Sequence, residues 1–166
     1  GLNVGLAIVG SGVLEATLRA RIDSLGLSGH VALLGQMDNP FPVLGGADLF
    51  VLPSLHEGQP VTLLEAMTLG TGVVASDLPG NRELIDLGYG VLSGTSPQDI
   101  AQAIRSALTD PRLAHGAFDV TEHNARSLRD TLEAVLGPEA LHQQPQGKTA
   151  SKRRRRKRAA SRGKPA

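Results

Sequence analysis

The chain has 166 residues with no cysteine and no tryptophan, and its aromatic side chains are Phe41, Phe50, Phe118 and Tyr89. This excludes a disulfide framework and a thiolate metal site; no apolar run approaches the roughly 18 residues of a membrane span; and the core must rest on Leu, Val, Ile and Ala, as in α/β domains with buried parallel strands. The net charge of +1 hides a division: residues 147–166 carry 10 basic residues and no acidic one, leaving 7 of the 17 basic residues with all 16 acidic ones in residues 1–146, a balance of −9 against +10.

In chain order, residues 2–9 form an apolar run that predicts a buried strand, ending in Gly10-Ser-Gly12. A helix should follow, with Leu14, Leu18, Ile22 and Leu25 as its core-facing stripe, ending near Gly26. Position 15 is Glu, so Gly10 and Gly12 lack the third glycine of a dinucleotide fingerprint and read as a softened strand-to-helix turn. Strands are predicted over 30–35, 48–52, 72–76 and 89–92, with a helical turn or two at 42–46. Asn81 is predicted to cap a short helix reaching Leu87. Ser96-Pro97 opens a helix, Ser as N-cap and Pro at the first position, whose buried face is Ile100, Ile104 and Leu108. A last helix runs from Asp119 or Thr121 to about Leu136, with Leu128, Leu132 and Val135 inward. Strand and helix alternate without hairpin signals, which predicts a Rossmann-like α/β domain: a parallel sheet with helices on both faces. The domain is expected over residues 1–136. Residues 137–166, first Gln/Pro-rich and then Arg/Lys-rich, offer nothing to a core and are expected to be disordered.

One stretch concentrates the chemistry. Glu57 falls in a short loop after the strand ending at Leu52; Gly58 permits close backbone approach; Pro60 suits a helix start. From Val61 onward the N–H groups of a helix N-terminus make an anion site, and Glu65 lies about a turn further on. On their own, two such glutamates read as solvated surface residues. Their setting adds weight, because ligands of open parallel sheets bind at the carboxyl ends of the strands.

Six ordered pieces then resemble one family: Ala7-Ile-Val-Gly-Ser-Gly12, Val31-Ala-Leu-Leu-Gly35, Ala47-Asp-Leu-Phe-Val-Leu-Pro-Ser54, the pair Glu57 and Glu65 with Ala66-Met67 and Gly70, Val73-Val-Ala-Ser76, and Gly80-Asn-Arg-Glu83. Together they are similar to the C-terminal, donor-binding domain of GT-B retaining glycosyltransferases of the family-4-like type. A narrower resemblance, through Asn39-Pro-Phe-Pro-Val-Leu44, Glu57-Gly-Gln-Pro60, Phe118-Asp119 and His123-Asn124, is to modules found with CDP-glycerol glycerophosphotransferases of wall-polymer synthesis.

The resemblance implies transfer of a sugar, with retention, from a nucleotide-diphosphate sugar to a glycan, wall-polymer or lipid-linked acceptor. Glu57 would be the catalytic residue at the reacting carbon, and Glu65 would accept hydrogen bonds from the ribose. The backbone of Gly58, Gln59, Pro60, Leu63 and Leu64 would hold sugar and phosphates. No cofactor or metal is implied, and no Asp-x-Asp is present. The family's diphosphate-neutralising basic residues lie on the domain's first strand, which would precede Gly1, as would the N-terminal GT-B partner domain; the chain thus reads as a fragment with its first strand missing. Arg82 is then the one cation expected near the crevice, and it reads as readily as a surface residue at a helix start. His56 reads as a packing group or as touching the donor. Gly72 stands where the family often has Pro, a change for the start of the strand rather than for the chemistry.

The tail leaves its role open. Lys152 to Arg158 is a run of seven positive charges, suited to an anionic membrane surface, to nucleic acid, or to nothing beyond solvation. The localisation expected is cytoplasmic, peripheral on the inner face of the plasma membrane. The competing expectation is a truncated, non-catalytic nucleotide-binding or docking module with a basic tail.

Overall fold

The computed structural model describes residues 2–87, 89–116 and 118–136; the expected disorder and charge run of residues 137–166 lie outside them. The chain divides into two units, Gly1–Asp119 and Val120–Ala166. The first contains β1 (Leu6–Val9), α1 (Glu15–Ser24), β2 (Val31–Gly35), α2 (Phe41–Gly45), β3 (Leu49–Leu52), α3 (Val61–Thr68), β4 (Gly72–Ser76), α4 (Pro79–Ile85), β5 (Val91–Ser93), α5 (Pro97–Thr109) and a 3-10 turn at Pro111–Leu113. Of the second, α6 (Val120–Leu136) is described.

Every strand ladder is parallel, as alternation without hairpin signals predicts. The ladder is nevertheless split. β1 pairs with β2, and β3–β4–β5 form a separate sheet; among the described residues no strand joins the two.

The three-stranded sheet has the expected layers. All five residues of β4 are buried, because both its faces are covered. Val73 and Ala75 pack with Leu63, Ala66 and Met67 of α3 and Leu84 and Ile85 of α4. Val74 points the other way, to Ala103 and Ala107 of α5. Burying a valine side chain fully contributes about 1.5–3 kcal/mol, so β4 anchors the unit. On α5 the alanines make the close contact, while the predicted Ile100, Ile104 and Leu108 flank it half-buried. Its start is as read: Ser96 Oγ accepts from the Asp99 N–H at 3.1 Å.

The first strand pair behaves differently. α1 buries no residue, and Leu14, Leu18 and Leu25 of its expected core stripe are exposed. Leu6 and Val9 of β1 are exposed too. A two-stranded ribbon offers a helix too little surface to cover, which is why the stripe stays open. In α6, Leu128 and Val135 are likewise exposed and Leu132 is half-buried, against the inward reading. A lone helix has no layer among its own unit's described residues to bury them.

β4 is tied at its amino end. Its Val73 N–H donates to the Ala114 carbonyl at 3.1 Å. A Cβ at Gly72 would come 2.6 Å from His115 Nε2, so the glycine makes room for that ring. Tyr89, 2 % exposed, closes the core below: its hydroxyl donates to the Thr71 carbonyl at 3.2 Å, and its ring meets Phe118 edge-on at 6.2 Å.

Candidate functional site at the carboxyl edge

β3 and β4 run in register, Leu52 opposite Ala75, so the segments leaving them emerge side by side at the carboxyl edge. Residues 53–60 form the first. Glu57 is half-buried there, and Ser54 Oγ donates to its Oε2 at 2.9 Å. That bond fixes one carboxylate oxygen and leaves the other free to act. Gly58 is exposed; a Cβ on it would meet nothing within 4 Å, and its φ is not positive. Neither packing nor backbone conformation therefore demands a glycine here.

The helix start differs from expectation in one respect. Pro60, buried, sits at the N-cap with φ −80° and ψ 69° and no side-chain cap. This tight turn brings the Val61 N–H onto the Gln59 carbonyl at 2.9 Å, while the N–H groups of Leu63 and Leu64 both donate to the Pro60 carbonyl. Among the described residues Thr62 alone in that turn keeps an N–H without a partner, and the N–H groups of Leu55 through Gln59 are also unengaged. The anion-binding potential thus lies in the loop and at Thr62 rather than in a run from Val61 onward.

Of the residues singled out in the sequence, Glu57, Gly58, Gln59 and Pro60 lie along one loop. Leu64 and Glu65 follow on α3, both half-buried. No described residue bonds the Glu65 carboxylate. Leu63 is fully buried in the core, so its side chain is withdrawn from the site. His56 is exposed.

The second wall is the β4–α4 turn. Against the expectation, Asn81 does not cap α4; α4 begins at Pro79 with Leu78 at its N-cap. Asn81 lies inside the helix, fully buried, and its Nδ2 donates back to the Ser76 carbonyl at 2.9 Å. Arg82 pairs with Asp77, Nη2 to Oδ1 at 2.5 Å, with both side chains partly exposed. Its charge is therefore already matched, in an ion pair of the surface kind worth about 0.2–1 kcal/mol. Ser54 and Gly80 enter the sequence reading only as motif members, because their part in the site comes through contacts made after folding.

Elsewhere, a depression of about 630 Å³ lies along α1 between Gly12 and Asp23; none of the site residues lines it. Among the described residues no group of three or more His, Cys, Asp or Glu could hold a metal ion, and no helix is long and apolar enough to cross a membrane.

Comparison with known proteins identifies the family. The chain is 39 % identical over 121 residues to the amylovoran biosynthesis glycosyltransferase AmsK of Erwinia amylovora, covering 68 % of this chain and 29 % of that protein. It is 39 % identical over 88 residues to the N,N'-diacetylbacillosaminyl-diphospho-undecaprenol alpha-1,3-N-acetylgalactosaminyltransferase of Campylobacter jejuni, covering 52 % of this chain and 23 % of that protein. Among solved structures, HepE of Anabaena in complex with UDP and glucose superposes with a TM-score of 0.63 at 26 % identity, over 79 % of this chain and 41 % of HepE. The chain spans less than a third of the length of the curated relatives it matches. The family model for glycosyl transferases group 1 matches residues 2–119, all but the first residue of the unit that carries the site, and the chain belongs to that family.

Proposed function

We propose that this chain is the donor-nucleotide half of a retaining glycosyltransferase. The observation that carries the reading is the unsatisfied chemistry of one segment. A half-buried Glu65 carboxylate without a protein partner, a row of unengaged N–H groups at 55–59 and 62, and Glu57 held by Ser54 all stand where β3 ends. A nucleoside-diphosphate sugar presents the complementary groups in order: ribose hydroxyls, diphosphate oxygens and an anomeric carbon.

In this reading Glu65 accepts from the ribose hydroxyls. The unengaged N–H groups of Leu55 to Gln59, those of Gly58 and Gln59 among them, and of Thr62 at the α3 N-terminus take the diphosphate and sugar, with Pro60 shaping the turn. As the sugar–phosphate bond breaks, the electron pair leaves with the diphosphate, and preorganised N–H donors stabilise that charge. Glu57 stands by the anomeric carbon and favours its oxocarbenium-like character. Gly58, which nothing in the fold requires, lets the sugar approach the backbone. The complex of HepE with UDP and glucose supports such a donor. The undecaprenol-linked acceptor in the name of the Campylobacter relative supports a lipid-linked one, with glycan and wall polymer in the same class. The Lys152 to Arg158 run would then hold the enzyme at the anionic inner face of the membrane, each basic residue near lipid contributing about 1 kcal/mol.

Isothermal titration of the 166-residue chain with UDP, GDP and CDP and their hexose conjugates tests the donor reading. Micromolar to millimolar binding of one series is expected; no binding of any would sink it. Analysis of the anomeric configuration of the product of the full-length enzyme tests retention. Flotation with phosphatidylserine vesicles tests the tail. Binding without any transfer by the full-length enzyme would instead favour a docking module.

A further inference from the structure

The turn after β4 is built into the Glu57 loop by atoms that the donor reading leaves unused. Ser76, fully buried, donates weakly through Oγ to the Leu52 carbonyl, the last residue of β3, at 3.5 Å. Asn81, also fully buried, donates back to the Ser76 carbonyl. Gly80 lies against the loop itself: a Cβ there would come 2.8 Å from the Gly58 carbonyl oxygen and 3.4 Å from Pro60 Cδ. Gly80 has no positive φ, so the loop, not the backbone conformation, requires this glycine. Asn81 Oδ1 is buried with no partner. An orphaned buried amide oxygen destabilises a fold, so packing economy does not explain an asparagine here. What the arrangement does accomplish is to fix the start of α4 against the backbone that carries Glu57.

We propose that Gly80 and Asn81 are positioning residues for the donor sugar, setting through Gly58 and Pro60 where the Glu57 carboxylate stands. The proposal rests on the nucleotide-sugar reading for its ligand, but its mechanical half does not. Gly58 is the residue next to Glu57, so a displaced Gly58 carbonyl carries Glu57 with it. Glu65 is insulated, because α3 is anchored in the core through Leu63, Ala66 and Met67. Disturbing Gly80 should therefore separate the two ends of the ligand, weakening the hold on the sugar and sparing the nucleotide.

The test uses the full 166-residue chain carrying Gly80→Ala, Asn81→Ala, or Gly29→Ala as a control, since a Cβ at Gly29 meets nothing within 4 Å. Amide resonances are compared, and UDP and UDP-glucose are titrated. In Gly80→Ala the amides of Glu57, Gly58 and Gln59 should shift while those of Val73 to Ala75 stay. UDP-glucose should bind about tenfold more weakly and UDP within about twofold of the parent, since small misplacements at a reacting centre carry large penalties. Gly29→Ala should change neither. Unmoved loop amides would overturn the proposal, and so would equal weakening of both ligands. If the parent chain binds neither ligand, the nucleotide-sugar reading fails and the amide shifts alone decide whether Gly80 positions the loop. Should Gly80→Ala not fold, Asn81→Ala, which releases the turn without adding bulk, must show the same split between the ligands, or the proposal falls.

Discussion

Replacing Glu65 separates ligand recognition from folding. Glu65 is half-buried on α3 and no described residue bonds its carboxylate, so no hydrogen bond of the fold depends on that group. Hydrogen bonds to a charged group contribute about 1.5–3 kcal/mol net. That net figure already includes the exchange with water, so loss of at least one ribose bond is taken at about 2 kcal/mol. Glu65→Ala should then raise the Kd for UDP about 30-fold. Glu65→Gln keeps the length and an acceptor but loses the charge, leaving a neutral bond of about 1 kcal/mol and a Kd raised about fivefold. Alanine has the better helix propensity, and a side chain without partners affects stability by no more than about 0.5 kcal/mol, so the melting midpoint should hold. Calorimetric titration with UDP at fixed salt, beside thermal melting of the same samples, reads both. An unchanged Kd in Glu65→Ala would refute the ribose assignment. A loss of affinity matched by a fall in melting temperature would refute the claim that Glu65 serves the ligand and not the fold.

Ser54→Ala removes the donor that fixes Glu57; affinity for UDP-glucose should fall severalfold while affinity for UDP does not, as parallel titrations will show. Gly90 has φ +108°, and a Cβ there would run into Val73 Cγ2 and lie 2.6 Å from Ile85 Cδ1, so Gly90→Ala should cost about 3 kcal/mol in denaturant unfolding, combining strain and overpacking. Burial pushes the Tyr89 phenol above its ordinary value. Its folded pKa is the higher one, so its contribution is complete below about pH 10, the unfolded value, and is lost as pH rises towards the folded one. Between the two, stability should fall by about 1.4 kcal/mol per pH unit. Tyr89→Phe should flatten that alkaline slope in unfolding titrations between pH 9 and 11 while losing the bond to the Thr71 carbonyl.

Which parts of this molecule were legible in its sequence follows from how local their causes are. The strands could be read from short apolar runs, and the start of α5 from Ser96 and Pro97, because a cap acts within three residues. The split of the sheet could not, since strand pairing is decided by residues far apart in sequence. The open stripe of α1 follows from that split: Leu14, Leu18 and Leu25 have helical spacing, but spacing does not supply the surface they would cover. On α5 the same blindness favoured Ile100 and Ile104 over Ala103 and Ala107, because periodicity marks a face and only packing decides which members approach closest. At the site, the order Glu57, Gly58, Pro60, Glu65 was readable. That Val61 spends its N–H on Gln59, that Ser54 holds Glu57, and that Asn81 turns inward instead of capping α4 all depend on backbone angles that residue identity left open.

The charges around the site constrain how it can hold a diphosphate. Between positions 53 and 82 the one Lys or Arg is Arg82, and Asp77 already holds it. The α3 N-terminus supplies about half a positive charge, well short of neutralising two phosphates. On the proposed reading, recognition by this segment leans on directional hydrogen bonds to ribose and sugar more than on ion pairing. That places the weight on Glu65 and on the exact stance of the Glu57 loop. It also makes the contact of Gly80 with Gly58 consequential: where charge cannot gather the ligand, the position of a few neutral donors and one carboxylate decides whether it is held.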